Sequence, residues 1–329
     1  MEYLISDSTD PAFNLALEQY VFDALPRDRS YLILWQNDNT VVVGKYQNTF
    51  SEIDADYVRE HGVKVVRRLS GGGAVYHDLG NLNFTYIADA GEMRQINFRL
   101  FCDPVIETLA SYGVAAEVSG RNDMTVDGKK FSGNAQYIKH GRVRHHGTIM
   151  IRSDLSAVAS ALKPEKAKME SKGVRSVRSR VANLGDYLPE GTTVEQFRDR
   201  FLETLSRRET MHPYRLSEKD LAAVRELKES VYDTYEWNYG RSPAGAVTCS
   251  ERIEGAGRID VRVGTDRGKV RSAAFSGDFF CTGELEELED SLLGVRYTRE
   301  DVAAALDRIY DRCHISGLDT ETLVRLIVV

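Results

Sequence analysis

The sequence predicts an α+β fold: a mixed, mostly antiparallel sheet flanked by helices, followed by a small C-terminal α/β domain. Three observations carry that expectation. Apolar strand runs alternate irregularly with single amphipathic helices and short, turn-rich connections, not in a strict strand–helix–strand repeat. The chain has 329 residues, more than one hydrophobic core usually serves, so two units are expected. Finally, "TYEWNYGRSPAG" interrupts an otherwise helical region with Gly240, Pro243 and Gly245, dividing the chain into residues 1–245 and 246–329.

The elements follow in order. In "DPAFNLALEQYVFDALP", Asp10 can cap a helix, Pro11 suits its first turn, and Phe13, Leu17, Tyr20 and Val21 share a face. "YLILW" and "TVVVGKY" are strand runs separated by the turn-rich "QNDN", and "VKVVRRLS" is a third. Between the second and third, a short helix spans about Asp54 to His61 and stops at Gly62. "NLNFTYIA" alternates Leu82, Phe84 and Tyr86 with Asn83 and Thr85, and a helix near 97–112 buries Phe101, Val105 and Leu109. In the tail, "GRIDVRVGTDRGKVRSAAFSGDF" predicts a strand pair around an Asp-Arg-Gly turn. "TREDVAAALDRIY" then opens with the capping-box pair Thr298 and Asp301.

Composition narrows the function. A formal charge of −7 argues against a general nucleic-acid binder, which would be basic. No apolar run reaches the roughly 18 residues that span a bilayer, so no membrane role is expected. The N-terminus lacks a basic segment followed by an apolar one, so no secretory signal is expected. Cys102, Cys249, Cys281 and Cys313 lie far apart without a Cys-x-x-Cys pair, which suits reduced thiols in a cytoplasm.

Two stretches carry chemistry. "RRLSGGGAVYHDLGN" (67–81) puts three glycines between two strand-like runs, at about 0.5–1 kcal/mol of backbone entropy each. Such a run serves a flexible turn or the close approach of backbone to a ligand. "NDMTVDGKKFSGNAQ" (122–136) contains Asp127-Gly128, a strong hairpin signal. With that turn, Val126 pairs with Lys129, Thr125 with Lys130, Met124 with Phe131 and Asp123 with Ser132. Asp123, Thr125, Lys130 and Ser132 then share a polar face, while Met124 and Phe131 face the core. Lys130 is thus either a solvated lysine or a positioned cation.

Together with "HHGTIM", "SKGVRSVRSRVANL" and "YEWNYGRSP", these blocks resemble, in order and spacing, the lipoate–protein ligase family over roughly residues 10–245. The resemblance implies the catalytic fold shared with biotin ligases, and a two-step reaction. Lipoate and ATP (with Mg2+) form lipoyl-AMP and pyrophosphate, and the lipoyl group then passes to a lysine of an acceptor. The implied acceptors are lipoyl domains of 2-oxoacid dehydrogenase E2 subunits and the glycine-cleavage H protein. By resemblance Lys130 is the catalytic lysine; Arg68, Gly73, Ala74, Val75, Tyr76, Asn122, Asp123 and Lys130 bind ATP; and Ser70, Gly72, Gly73, His77 and Lys130 bind lipoate. A cytoplasmic monomer is the implied setting.

The chemistry suits those residue types. Adenylation turns a carboxylate oxygen into a leaving group, and the transition state at the α-phosphate gathers negative charge that fixed donors must meet. A cation about 4 Å away is worth roughly 4 kcal/mol at an effective dielectric near 20. No Gly-x-x-x-x-Gly-Lys-[Ser/Thr] is present, so the loop is not a P-loop.

Other features carry alternatives. His77 either contacts ligand or holds the loop. His140, His145 and His146 lack a cysteine or carboxylate at familiar spacing, so no metal site is expected. Residues 163–180 carry seven Lys or Arg against two Glu, either a solvated segment or a docking surface for acidic domains. Cys102 reads as a core thiol. Rival readings are an ATP-independent octanoyl or lipoyl transferase, which needs a cysteine nucleophile, a biotin ligase, and a non-catalytic lipoyl-domain binder.

Overall fold

The computed structural model describes residues 1–91, 97–163, 180–240 and 248–328. The expected boundary at 245/246 and nearly all of the basic stretch 163–180 lie outside the described residues.

Among the described residues the main sheet has eight strands, ordered His212–Pro213, Glu2–Ile5, Tyr31–Trp35, Asn81–Asp89, Arg142–Met150, Lys129–Lys139, Asp123–Val126 and Ala116–Ser119. The first two pairings are parallel and the others antiparallel, so the sheet is mixed and mostly antiparallel. A second sheet of three strands, Lys64–Arg67, Thr40–Val43 and Val75–His77, lies apart from it. "YLILW" and "TVVVGKY" therefore belong to different sheets, because Trp35 to Thr40 is a corner and not a hairpin.

Helices cover both faces. Leu82, Phe84 and Tyr86 meet the helices Arg99–Ala110 and Val194–Ser206 in the largest core cluster. The opposite face packs on the first helix, Pro11–Ala24, whose Asp10 cap accepts from the Ala12 N–H at 3.1 Å. That helix is buried almost all round, since Val224 and Tyr232 cover its outer side; Phe13 and Tyr20, expected on its buried stripe, are only half-buried. Asn83 and Thr85, the polar alternates of their strand, are also buried. They look toward this helix side, where Thr85 Oγ1 donates to Glu18 Oε1 at 2.5 Å.

The small C-terminal domain folds around a three-stranded sheet of Cys249–Ile253, Gly257–Asp266 and Lys269–Gly277. The helices Leu285–Ser291, Arg299–Asp307 and Thr320–Ile327 pack on it. Its hairpin turns at Arg267-Gly268, both in the left-handed region, as the Asp-Arg-Gly turn requires. The two cores exchange aromatic rings. Phe280 is part of the main core, against Phe98 at 5.3 Å, while Tyr46 joins the small domain's core, stacked on Phe279 at 5.0 Å.

Candidate active site

The Lys130 hairpin forms with one correction. Val126–Lys129 and Thr125–Lys130 pair as expected, with Asp127 and Gly128 both at positive φ. A bulge then inserts Phe131, so Met124 pairs with Ser132 and Asp123 with Gly133. The extra residue lets Phe131 and Ser132 both be buried and carries Gly133 onto the face of Lys130. A Cβ at Gly133 would lie 3.1 Å from Lys130 Nζ, so the glycine leaves the ammonium its space. Lys130 Nζ pairs with Asp123 Oδ1 at 2.7 Å, on the face where the sequence put both. Behind it, the Lys130 N–H donates to Arg180 O at 2.9 Å and its carbonyl accepts from Ala182 N at 2.8 Å.

The three glycines have three separate causes. A Cβ at Gly71 would lie 2.1 Å from Phe279 O, so this glycine lets the loop seat on the small domain. Gly72 has φ +89° and donates its N–H to the same carbonyl at 3.1 Å, and a Cβ there would press on Arg68 and the Phe280 ring. Only Gly73 faces open space. Arg68 is buried and spends its guanidinium on the loop. It donates to Gly71 O at 2.7 Å, Gly73 O at 2.8 Å, Ser70 Oγ at 3.1 Å and Val42 O at 3.2 Å. Burial pulls its pKa down to about 9.

Loop and hairpin face one cavity of about 280 Å³. Of the residues expected at the site, Arg68, Gly73, Ala74, Val75, His77, Asn122, Asp123 and Lys130 line it; Ser70, Gly72 and Tyr76 do not. Tyr76 instead bonds Asn39, and Gly72 is turned to Phe280. Ser70 Oγ stands 2.7 Å from His146 Nε2, and His146 Nδ1 stands 2.9 Å from Glu18 Oε1. Burial pushes Glu18 up, but His146 and Arg144 outweigh it and hold the carboxyl below its ordinary value. Burial lowers His146 too, so the pair is a carboxylate and a neutral ring, with Nδ1–H donating to Glu18 and Nε2 accepting from Ser70.

The cavity is graded in polarity. Leu15, Trp35, Val42, His77 and Asn83 are almost wholly buried, and Val75 packs on their cluster. Lys130, Asp123, Arg121 and Arg252 are partly exposed, and Asp278 accompanies them. Arg252 and Asp278, an ion pair at 3.0 Å, belong to the small domain, which therefore supplies part of the wall. Arg121 reaches across to donate to Asp278 O at 3.1 Å and to Ala256 O. Deeper in the same interface, Glu284 of the small domain accepts from Lys45 at 2.7 Å, Lys139 at 2.8 Å and Tyr137 OH at 3.0 Å. Although burial opposes it, the two ammoniums bring Glu284 down to about 2.

Sequence reasoning missed Glu18, Arg121, Arg252, Asp278 and Glu284, and weighed His146 only as one of three histidines for a metal. A Glu within an apolar helical run was the one legible signal; Arg121, Arg252, Asp278 and Glu284 depend on how the domains meet. The three clustered histidines do not converge: His140 sits in a turn, His145 is stacked on Phe101 and bonded by Gln136, and His146 faces Glu18. No three metal-binding side chains gather among the described residues. Cys102 is buried in its helix, pushed up to about 12 by burial, and does not line the cavity. Among the described residues no helix is long and apolar enough to cross a membrane.

Residues 10–206 match the family described as "Lipoyl protein ligase A/B catalytic domain", and residues 242–327 match "Bacterial lipoate protein ligase C-terminus". The lipoate-protein ligase LplJ of Bacillus subtilis is 42% identical over 322 residues, 97% of each chain. The bi-partite lipoate protein ligase of Thermoplasma acidophilum, described with its E2 lipoyl domain, superposes with a TM-score of 0.65 at 27% identity, over 75% of this chain and 98% of that one. A lipoate-protein ligase A bound with ATP gives a TM-score of 0.64 at 27% identity, over 73% of this chain and 98% of that one.

Proposed function

The chain belongs to the lipoate–protein ligase family, and from that premise we propose that it activates lipoate with Mg-ATP and passes the lipoyl group to a lysine of a lipoyl domain. One observation carries the reading: a single cavity joins a buried end walled by Leu15, Trp35 and Val42 beside His77 and Asn83, a glycine open to approach at position 73, and the Lys130 ammonium at its charged end. An acyl chain with one carboxylate fits that gradient, tail inward and carboxylate toward Lys130.

In the first step a lipoate carboxylate oxygen attacks the α-phosphorus of ATP, and the bond to pyrophosphate breaks. Lys130 faces the developing charge, Arg121 and Arg252 add positive charge on the same side, and Gly73, Ala74 and Val75 border the nucleotide with Asn122 and Asp123. Arg68 holds the loop from below through its carbonyls. Magnesium would come with the nucleotide and would offset phosphate charge, held largely by phosphates and waters. In the second step the acceptor amine attacks the acyl carbonyl and AMP leaves. With a pKa near 10.4, only about one amine in a few thousand is neutral at pH 7, so docking must shift that balance. The E2 lipoyl domain described with the T. acidophilum ligase supports lipoyl domains as acceptors, and the reading extends to the glycine-cleavage H protein as a further acceptor. In this reading the protein acts as a cytoplasmic monomer, with residues 1–245 catalytic and 246–329 accessory. Among the described residues no cysteine lines the cavity, which counts against a thioester route.

The test is intact-mass spectrometry of a lipoyl domain incubated with the protein, lipoate and Mg-ATP. A lipoyl mass gain that requires ATP and vanishes in Lys130→Ala supports the reading. A gain from an acylated carrier without ATP would replace it with a transferase, and binding of acceptor with no gain at all would leave a non-catalytic binder.

A further inference from the structure

The buried end of the cavity is not wholly apolar. His77 is 3% exposed, lines the cavity and has no partner for Nε2. Its other nitrogen, Nδ1, lies 3.2 Å from Asn37 Nδ2. The orientation of that amide is itself fixed. Asn14 Nδ2 donates to two backbone carbonyls, Ser8 O and Gln36 O, both at 2.9 Å, and also to Asn37 Oδ1 at 3.0 Å. Asn37 thus turns its NH2 to His77, Nδ1 must accept, and the ring's proton sits on Nε2. Beside it, the Trp35 ring meets His77 edge-on at 6.0 Å, and Trp35 pairs across the sheet with Asn83. Asn83 is 1% exposed, lines the cavity, accepts from Asn81 at 2.9 Å and has no partner for its own NH2. Burial, then Arg68 and His146, bring the His77 pKa down to about 3, so the ring stays neutral.

We propose that His77 Nε2–H, with the Asn83 amide, selects an acyl chain that ends in a cyclic disulfide over a plain alkyl chain of the same length. This rests on the ligase reading above and deepens it. A disulfide sulfur offers lone pairs to the two donors and a polarisable contact to the edge of Trp35. A methyl-terminated chain fills the same space but leaves both donors desolvated and unpaired, which is the stronger source of discrimination.

The experiment compares kcat/KM for lipoate and octanoate, with Mg-ATP and a lipoyl-domain acceptor, in the wild type, His77→Phe and Asn37→Asp. Each unpaired buried donor corresponds to roughly tenfold, so with two the wild type should prefer lipoate by up to about a hundredfold. His77→Phe should cut it about tenfold, leaving the share carried by Asn83, with octanoate use gaining and lipoate use falling. Asn37→Asp keeps the imidazole but makes Nδ1 the donor, turning an acceptor toward the tail, and should cut the preference as well. Loss in His77→Phe with retention in Asn37→Asp would mean that ring shape alone selects, and would overturn the proposal, as would an unchanged ratio in both. Imidazole 15N shifts of the wild-type protein, independent of any variant, must show Nε2 protonated; the opposite tautomer overturns it. A wild type that ligates neither acid would instead remove the ligase reading itself.

Discussion

Glu284→Gln tests what holds the small domain on the main one. The carboxylate accepts from Lys45, whose side chain is 5% exposed, from Lys139 and from Tyr137. Its depression from 4.5 to about 2 sets a ceiling of about 3.4 kcal/mol, at 1.36 kcal/mol per unit. Glu284 is 27% and Lys139 37% exposed, so solvent screening trims this, and about 1–3 kcal/mol is expected. Because the folded state holds the carboxyl below its unfolded value, the contribution is complete above about pH 5 and fades as pH falls toward 2. At pH 3 roughly 1.4 of the 3.4 kcal/mol remains, so less than half of the gap between wild type and variant should survive there. Urea titrations at pH 7 and pH 3, followed by emission of Trp35 and Trp237 and by far-UV circular dichroism, measure both gaps. Equal gaps at the two pH values, or none at pH 7, would refute a charge-based latch.

Two other outcomes follow from the geometry. Gly133→Ala places a methyl 3.1 Å from Lys130 Nζ, so turnover should drop up to about tenfold, equivalent to about 1.4 kcal/mol, with an unchanged melting temperature; wild-type turnover would mean that the flexible ammonium shifts aside without cost, so its exact seat is not critical. Cys102, buried and pushed up to about 12, should resist iodoacetamide, and ligation should survive treatment; inactivation tracking Cys102 labelling would revive the thioester route.

Local chemistry was legible wherever local rules decide. The Asp127-Gly128 turn set the first two pairs of its hairpin, and Asp123 and Lys130 were read onto one face. The bulge at Phe131 was not legible, since it answers to core packing on the far side of the strand. The glycine triplet reads from sequence as either a flexible turn or a backbone that a ligand approaches. For Gly71 what approaches is Phe279, some two hundred residues away, and no local pattern announces it. Glu18 lies among apolar neighbours in a helix expected to have one wet side; the covering residues Val224 and Tyr232 come from much later in the chain.

The seat of Gly71 and Gly72 on Phe279 makes loop shape and domain position a single mechanical coordinate. The small domain cannot tilt without dragging the Gly72 N–H it holds or opening the contact beneath Gly71. Coupling of this kind is reciprocal: whatever binds at Gly73 and reshapes the loop changes how firmly the small domain sits, by the same free energy with which reseating that domain changes the binding. On the proposed reading, the loop that borders the nucleotide would also report its presence to the other half of the molecule and so keep the two steps in order.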